Sequence, residues 1–308
     1  GWAIAANIKK NNEEYSIGTA LESGNIGESE RSYDHRIVKI DGEKISSQVE
    51  LGKYISAIWL TPQMDRLFRG GAQPRRSFLD RLVYAFDIEH AKRTSRFEHI
   101  YREWMELLKT GRGNASWLEI LEKEMAETGV AIAAARKDAV AKLNTFIDSE
   151  PDDVFPNVLI ELDGKIEKLL EDKPALEVED IYRGMLYDER RAILYTESLE
   201  GVNRTDFKVY YKNKNMAAEL CSTGEQKSLL IGLILAQTKC QILDKGFAPI
   251  MLLDEVVAHL DSAKKEALIE KIKDLRLQAF ITATDHTLFD SLKDFAQFIE
   301  INNGKIVG

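Results

Sequence analysis

The sequence predicts an α/β protein in which a mixed sheet with flanking helices and an antiparallel β meander carries an inserted α-helical lobe. Three observations predict this class. Short apolar runs separated by turn residues fill positions 1–60, apolar residues recur at helical spacing from Pro62, and apolar strands alternate with helices after Ser222. Alternation of strands and helices is typical of parallel sheets. We expect residues 1–61 and 201–308 to form a head and residues 62–200 to form the helical lobe.

The N-terminal part is predicted to be a β meander or hairpin set. Turn residues such as Asn11-Asn12 and Asp41-Gly42 separate its apolar runs. The predicted strands are 2–9, 15–22, 35–40 and 54–60.

The middle of the chain is predicted to be mainly helical, because Phe78, Leu79, Leu82, Val83 and Phe86 recur at helical spacing. The same spacing continues over 96–108 and 118–146. We expect a strand at 157–164, a helix at 178–198 and a strand at 207–213.

The last third is predicted to alternate between helices and strands and to end in an Asn-Gly hairpin at 298–308. Its nearly all-apolar strands indicate a parallel sheet that is covered on both faces. We expect helices at 225–244, 262–275 and 286–295, and strands at 249–253 and 279–283.

The composition excludes several classes of protein. A net charge of -9 over 308 residues argues against a uniformly basic nucleic-acid-binding protein, although a local basic patch remains compatible with it. Cys221 and Cys240 provide neither a disulfide framework nor metal-ligand spacing. No apolar run reaches the roughly 18 residues of a membrane span, and we expect no secretory leader. We expect a cytoplasmic protein without membrane partners.

Two acids stand at the end of an apolar strand in "IMLLDEVVAHLD". In a parallel sheet, ligands bind at the carboxyl ends of strands. Asp254 is therefore a candidate ligand for Mg²⁺, and Glu255 a candidate base that orients and deprotonates an attacking water. The alternative is that Asp254 caps the next element and Glu255 is solvated.

A second candidate site is the helix start in "CSTGEQKSLLIGLILAQ". Ser222, Thr223 and Gly224 are small residues at the beginning of an apolar helix, where free N–H groups and the helix dipole favour an anion. The alternative is an ordinary capping box in which Glu225 follows Ser222 by three residues. This helix start, the Asp254-Glu255 strand end and Asp261 six residues past Glu255 together form an ordered set.

These segments resemble those of ABC-type ATPases: the signature helix, the Walker B strand and the loop that follows it. More narrowly, "WLTPQMDRLFRGGAQPRRSFLDRLV" and "GVNRTDF" resemble the RecF family of bacterial recombination and repair ATPases, which are related to SMC proteins. Where that family usually has Gly-Pro-His-Arg-Asp-Asp, this chain has Val202, Asn203 and Thr205. Arg204 and Asp206 match.

The resemblance implies roles for individual residues. It implies that Asp254 and Glu255 are catalytic, with Mg²⁺ held by Asp254, and that ATP contacts the signature of a second copy. His259 and Asp261 lie in the loop after Walker B, and Thr284 and Asp285 are switch candidates. The signature residues are Ser222, Thr223, Gly224, Glu225 and Gln226.

The resemblance also implies partners. In the family, ATP-bound homodimers act on DNA at single-strand gaps and single-strand/double-strand junctions. Recombination mediator proteins such as RecR then help to load the recombinase. Two alternatives stay open: another ABC-type or SMC-type ATPase head, and a nucleotide-independent DNA-binding or scaffold module.

The phosphate-binding P-loop pattern, Gly-x-x-x-x-Gly-Lys-Ser/Thr, does not occur in the sequence; Gly164-Lys165 and Gly304-Lys305, for example, are both followed by isoleucine. In the family this motif lies near the N-terminus, and the chain begins at Gly1 without a methionine. We expect the P-loop segment to be missing from this chain, which alone would bind ATP poorly and be inactive as an ATPase.

A basic segment is the candidate DNA-binding region. Residues 66–112 contain eleven Arg or Lys residues and six Asp or Glu residues. This excess of positive charge could bind the phosphates of a nucleic-acid backbone. The alternative is that these residues form a solvated helical face. We expect Phe78, Phe86 and Trp104 to be core residues and His90 and His99 to be surface or interface residues. The candidate DNA contacts are Arg66, Arg69, Arg75, Arg76 and Arg81.

Overall fold

The computed structural model describes residues 2–10, 12–23, 34–45, 48–111, 114–149, 154–192, 201–257, 260–284, 289 and 292–307. Among these residues, none of the helices has both the length and the apolar character that a membrane crossing requires. The backbone is a mixture of helices and four small sheets.

The N-terminal sheet is the predicted antiparallel meander. Asp41 and Gly42 make its last tight turn with φ of 50° and 85°, a left-handed conformation that Asp and Gly adopt readily. Its strands pair in sequence order: β1 (Ala3–Lys10), β2 (Glu13–Ser23), β3 (Asp34–Ile40) and β4 (Glu43–Lys44). The first three predicted strands are thereby confirmed.

The fourth predicted strand does not belong to the meander. After helix α1 (Gln48–Leu51), strand β5 (Ala57–Leu60) pairs in parallel with a strand almost two hundred residues further along the chain. Its assignment to the hairpin set was wrong, because a local apolar pattern does not identify a distant pairing partner.

The helical region follows a short 3₁₀ helix at Pro62–Arg66 and contains one strand. The predicted strand after Pro156 is confirmed, while residues 193–198 of the predicted helix 178–198 lie outside the described residues. The elements are α2 (Ala72–Tyr84), α3 (His90–Thr110), α4 (Ala115–Ser149), β6 (Val158–Asp163), α5 (Lys165–Asp172) and α6 (Ala175–Ala192).

The C-terminal part confirms the predicted strand and helix order up to β10. Half of the predicted helix 286–295 lies outside the described residues, and residues 293–295 form a turn. The elements are β7 (Asp206–Tyr211), β8 (Met216–Ala217), α7 (Thr223–Lys245), β9 (Ile250–Asp254), α8 (Ser262–Asp274), β10 (Ala279–Thr282), and the confirmed hairpin β11 (Glu300–Asn302) and β12 (Lys305–Val307).

Two hydrophobic clusters organise the packing. One joins α2, the second half of α4 and α7 to the sheets, with Phe78, Leu143 and Leu229 among its buried members. The other joins α3, the first half of α4 and α6, with Trp104, Met125 and Tyr182 in its interior. Helix α4 therefore contributes to both clusters. The division of the chain at residues 61 and 201 stays a prediction.

The parallel sheet has the strand order β10-β9-β5. Ile58, Met251 and Leu253 are buried on one of its faces. On the other face, Trp59, Leu252 and Phe280 pair across the three strands and are 39%, 39% and 55% exposed. The expectation that both faces are covered is wrong for the described residues, because an apolar strand pattern does not report what covers the outer face.

Candidate functional site

The carboxyl edge of the parallel sheet brings together the ends of β5, β9 and β10. Leu253 of β9 pairs with Leu60 of β5, and Asp254 pairs with Thr282 of β10. Asp254 is the last residue of the central strand, and both it and Glu255 are exposed. The adjacent acids thus lie at the sheet edge and face solvent.

Thr282 holds both acids in place. Its hydroxyl donates to Asp254 Oδ1 at 2.6 Å. The backbone N–H of Glu255 donates to the Thr282 hydroxyl and to the Thr282 carbonyl, both at 3.2 Å. Glu255 has a φ of 53°, a left-handed conformation that is unfavourable for a residue with a side chain. Our sequence reasoning missed Thr282, although a polar residue ending an apolar strand beside Asp254 was an available signal.

The oxygen donors at this edge suit Mg²⁺. Across the described ranges, no group of three His, Cys, Asp or Glu residues could hold a metal ion by itself. Mg²⁺ is usually held by one or two carboxylates, waters and the phosphates of a substrate. Asp254 is an exposed carboxylate whose Oδ1 is oriented by Thr282, so the residues at this edge fit Mg²⁺ in that role.

The start of α7 is a capped helix N-terminus whose first residues are exposed. Ser222 is its N-cap and forms a complete capping box with Glu225. The Glu225 carboxylate accepts from the Ser222 N–H at 2.8 Å and from its hydroxyl at 2.7 Å. Ser222, Thr223 and Gly224 are exposed. The capping-box alternative is therefore realised, and the exposed residues still present the N-terminus of a 23-residue helix to solvent.

Glu225 is strongly stabilised in its charged form. Lys214 forms an ion pair with it, and the hydroxyl and N–H of Ser222 donate to it. The pKa of Glu225 is consequently lowered to about 2, mainly by the Lys214 hydrogen bond. A permanent negative charge beside the helix start offsets part of the positive helix dipole.

Gln226 and Lys227 point into the protein. Gln226 is 1% exposed, and its amide donates to the Ala218 carbonyl at 2.8 Å and the Cys221 carbonyl at 3.0 Å. Gln226 therefore fixes the loop that leads into the helix. Lys227 is 7% exposed and lies 3.4 Å from Asp65 Oδ2. This ion pair joins the start of α7 to the segment that follows β5 at the sheet edge.

Two of the remaining predicted site residues, Asp261 and Thr284, lie within the described residues. Asp261 is exposed and caps α8, accepting from the Lys264 N–H at 2.9 Å, and this hydrogen bond lowers its pKa. Thr284 is exposed two residues beyond β10. His259 and Asp285 lie outside the described residues.

Four of the five candidate DNA-binding arginines make intramolecular side-chain contacts. Arg75 forms a bidentate ion pair with Asp206, with both distances 2.8 Å, and Arg76 donates to the Thr205 carbonyl at 3.1 Å. The guanidinium of Arg81 lies 4.3 Å from the Trp59 ring centroid, and burial lowers its pKa to about 10. Arg66 and Arg69 are exposed, and the Arg69 guanidinium donates to the Cys221 carbonyl at 3.5 Å.

The segment "GVNRTD" is held by side chains from three helices. Arg136 of α4 donates to the Val202 carbonyl at 2.7 Å, and the Thr205 hydroxyl donates to Glu167 of α5 at 2.8 Å. Arg75 and Arg76 of α2 bind its last two residues. Thr205, one of the departures from the family pattern, is therefore a buried structural residue.

His90 is not a surface residue. It is fully buried, and its Nε2 lies 2.8 Å from Asp80 Oδ1. The interpretation of His90 was wrong because the partly exposed carboxylate of Asp80 satisfies its ring nitrogen, which spacing along the sequence does not reveal. His99 is exposed, whereas Phe78 and Trp104 are buried as expected.

Comparison with known proteins gives consistent relatives. No family model matches the chain. It is 39% identical over 310 residues to the DNA replication and repair protein RecF of Rhizobium etli (strain CIAT 652), covering 100% of this chain and 81% of the relative. It is 41% identical over 308 residues to that of Mesorhizobium japonicum, covering 99% and 80%.

The fold agrees with solved structures. One is described as the recombination mediator protein RecF-ATP in the RecFOR pathway. The TM-score is 0.74 at 20% identity, and the match covers 99% of this chain and 80% of the other. A second, with ATPrS, gives a TM-score of 0.73. Sequence identity near 40% over the whole chain, together with this fold, shows that the chain belongs to the RecF family of DNA replication and repair proteins.

Proposed function

We propose that this chain supplies the Asp254-Glu255 edge and the Ser222–Gly224 helix start of an ATPase that dimerises when it binds ATP and acts on DNA. One observation carries the proposal: two adjacent exposed acids lie at the carboxyl edge of a parallel sheet, where such sheets bind ligands. The description of a RecF relative as an ATP complex supports ATP as the ligand.

The two acids have separate roles. Mg²⁺, bound together with ATP, would neutralise charge on the phosphates. Asp254 would hold this cation with the oxygen that Thr282 leaves free, and Glu255 would accept a proton from the attacking water. A positioned general base of this kind contributes roughly 10²–10⁴-fold to a rate.

The helix start would act on the nucleotide of a second copy. Exposed Ser222, Thr223 and Gly224 offer small side chains and backbone N–H groups to the phosphates. The Lys227–Asp65 pair links this helix to the segment after β5. Nucleotide binding between two copies would thus be connected to the sheet edge in each of them.

DNA is the proposed macromolecular substrate, at single-strand gaps and single-strand/double-strand junctions. The relatives are named DNA replication and repair proteins. Arg66 and Arg69 are exposed, and Arg69 donates only a long hydrogen bond of 3.5 Å to the Cys221 carbonyl, so both could contact phosphates. Recombination mediator proteins such as RecR are proposed partners, because the solved relative is described as part of the RecFOR pathway.

The experiment targets the helix start. In the chain joined to the P-loop segment of a RecF relative, Ser222→Arg places a bulky side chain in the anion site. We expect normal ATP affinity but loss of the ATP-dependent dimer in sizing experiments. The matched control is Ser95→Arg, which adds the same side chain at an exposed position of α3. A normal ATP-dependent dimer of Ser222→Arg would contradict the proposal, and absence of nucleotide binding in the parent would favour a nucleotide-independent DNA-binding or scaffold module.

A further inference from the structure

The end of β10 carries a residue that touches both candidate catalytic acids. Thr282 is the last residue of β10 and is paired in register with Asp254. A threonine hydroxyl has one proton to donate and two lone pairs to accept with. That proton is donated to Asp254 Oδ1, and a lone pair accepts the N–H of Glu255. A single side-chain oxygen is therefore bonded to two consecutive residues of the site.

The hydrogen bond from Thr282 determines the orientation of the Asp254 carboxylate. Asp254 is exposed, so its side chain would otherwise rotate freely in water. The 2.6 Å bond fixes one oxygen toward β10 and leaves the second oxygen available at the sheet edge. Hydrogen bonds to a ligating carboxylate orient it and tune its affinity for a metal.

The bonds to Glu255 stabilise an unfavourable backbone conformation. With φ at 53°, Glu255 is in the left-handed region, which is costly for a residue other than glycine. Its N–H is held by two oxygens of Thr282. This turn sends the chain away from the strand direction directly after Asp254, so the geometry of the second acid depends on the same threonine.

We infer that Thr282 is a positioning residue that orients Asp254 toward Mg²⁺ and holds the left-handed turn at Glu255. This inference rests on the proposed function of these two acids. Its effect passes through the acids, since the hydroxyl is committed to them.

The test compares a variant that lacks the Thr282 hydroxyl with one that keeps it. Thr282→Val removes the hydroxyl and keeps the shape, whereas Thr282→Ser keeps the hydroxyl. We would titrate Mg²⁺ against the binding of a fluorescent ATP analogue, in the chain joined to the P-loop segment of a RecF relative. Outer-shell substitutions of this kind lower metal affinity by roughly 10–100-fold. We expect Thr282→Val to raise the half-saturating Mg²⁺ concentration by about that factor and Thr282→Ser to restore it to within about threefold.

A double substitution shows whether the effect passes through Asp254. In an Asp254→Asn background, Thr282→Val should change the half-saturating Mg²⁺ concentration by less than about threefold, because coupled residues are not additive. Thr110→Val, which removes an exposed hydroxyl at the end of α3, is the control and should leave it unchanged. Melting temperatures of all variants without nucleotide report any general loss of stability.

Each outcome is decisive. If the parent binds the analogue with Mg²⁺ but Thr282→Val has the same half-saturating concentration, the inference alone is wrong. The inference is also wrong if Thr282→Ser behaves like Thr282→Val, or if the effect persists in full in Asp254→Asn. If the parent itself shows no Mg²⁺-dependent binding, the proposed function fails and the inference fails with it.

Discussion

Removing the Arg75 side chain is expected to destabilise the fold, although the sequence marked this residue as a DNA contact. Arg75 and Asp206 have side chains that are 13% and 21% exposed, and two hydrogen bonds of 2.8 Å join them. Hydrogen bonds between charged groups contribute about 1.5–3 kcal/mol. Breaking a fully buried pair costs about 3–5 kcal/mol. Because this pair is partly exposed, we expect Arg75→Ala to lower the free energy of unfolding by about 2–3 kcal/mol.

The assay is urea unfolding of the chain, followed by circular dichroism. Arg66→Ala is the matched control: Arg66 is exposed and lies in the same region, so its removal should change the free energy of unfolding by less than about 0.5 kcal/mol. A double-mutant cycle with Asp206→Ala should give a coupling energy above about 1 kcal/mol. The structural role of the pair would be refuted if Arg75→Ala had the same free energy of unfolding as Arg66→Ala, or if the coupling energy were near zero.

Two further predictions concern charge. The pKa of Glu225 is lowered from 4.5 to about 2. Its charged carboxylate therefore contributes its full stabilisation above about pH 4.5, the pKa in the unfolded chain. This contribution is lost as the pH falls through about 2. Glu225→Gln should therefore unfold at a lower urea concentration than the parent at pH 6, and the difference should shrink between about pH 4.5 and pH 2; a difference that is independent of pH would contradict this. Arg66→Ala and Arg69→Ala should each lower the slope of log affinity for DNA against log salt concentration by about 0.9. The control is Arg183→Ala, at an exposed position of α6, which should leave this slope unchanged. An unchanged slope in all three variants would assign residues 66–69 to a solvated surface.

Much of the fold could be predicted because its signals are local. Helical spacing of apolar residues located α2, α3 and α4. The apolar run ending in Asp254 located β9 and placed its acids at the sheet edge. The capping box of Ser222 and Glu225 marked the start of α7. In each case the determining interaction lies within a few residues of the chain, so the sequence pattern and the structure carry the same information.

The errors arose where the determining partner is distant in sequence. The pairing of β5 with β9 depends on residues almost two hundred positions away. Asp80, which His90 contacts, is also bound by Arg136 of α4, 56 positions further along the chain. The basic segment has the charge of a DNA-binding region, yet Arg75 and Arg76 bind Asp206 and Thr205. Charge counts along the chain cannot distinguish an arginine that faces solvent from one that holds a distant loop.

The central claim is that Asp254 and Glu255 form a divided catalytic pair, and ATP turnover of their variants tests it most directly. In the chain joined to the P-loop segment of a RecF relative, Glu255→Gln should still bind ATP and dimerise, while turnover falls by roughly 10²–10⁴-fold. Asp254→Asn should instead weaken Mg²⁺-dependent ATP binding, because the cation loses a charged ligand. Near-normal ATP turnover in Glu255→Gln would contradict the account. It would also be contradicted if both variants lost the same amount of stability and neither changed ATP binding.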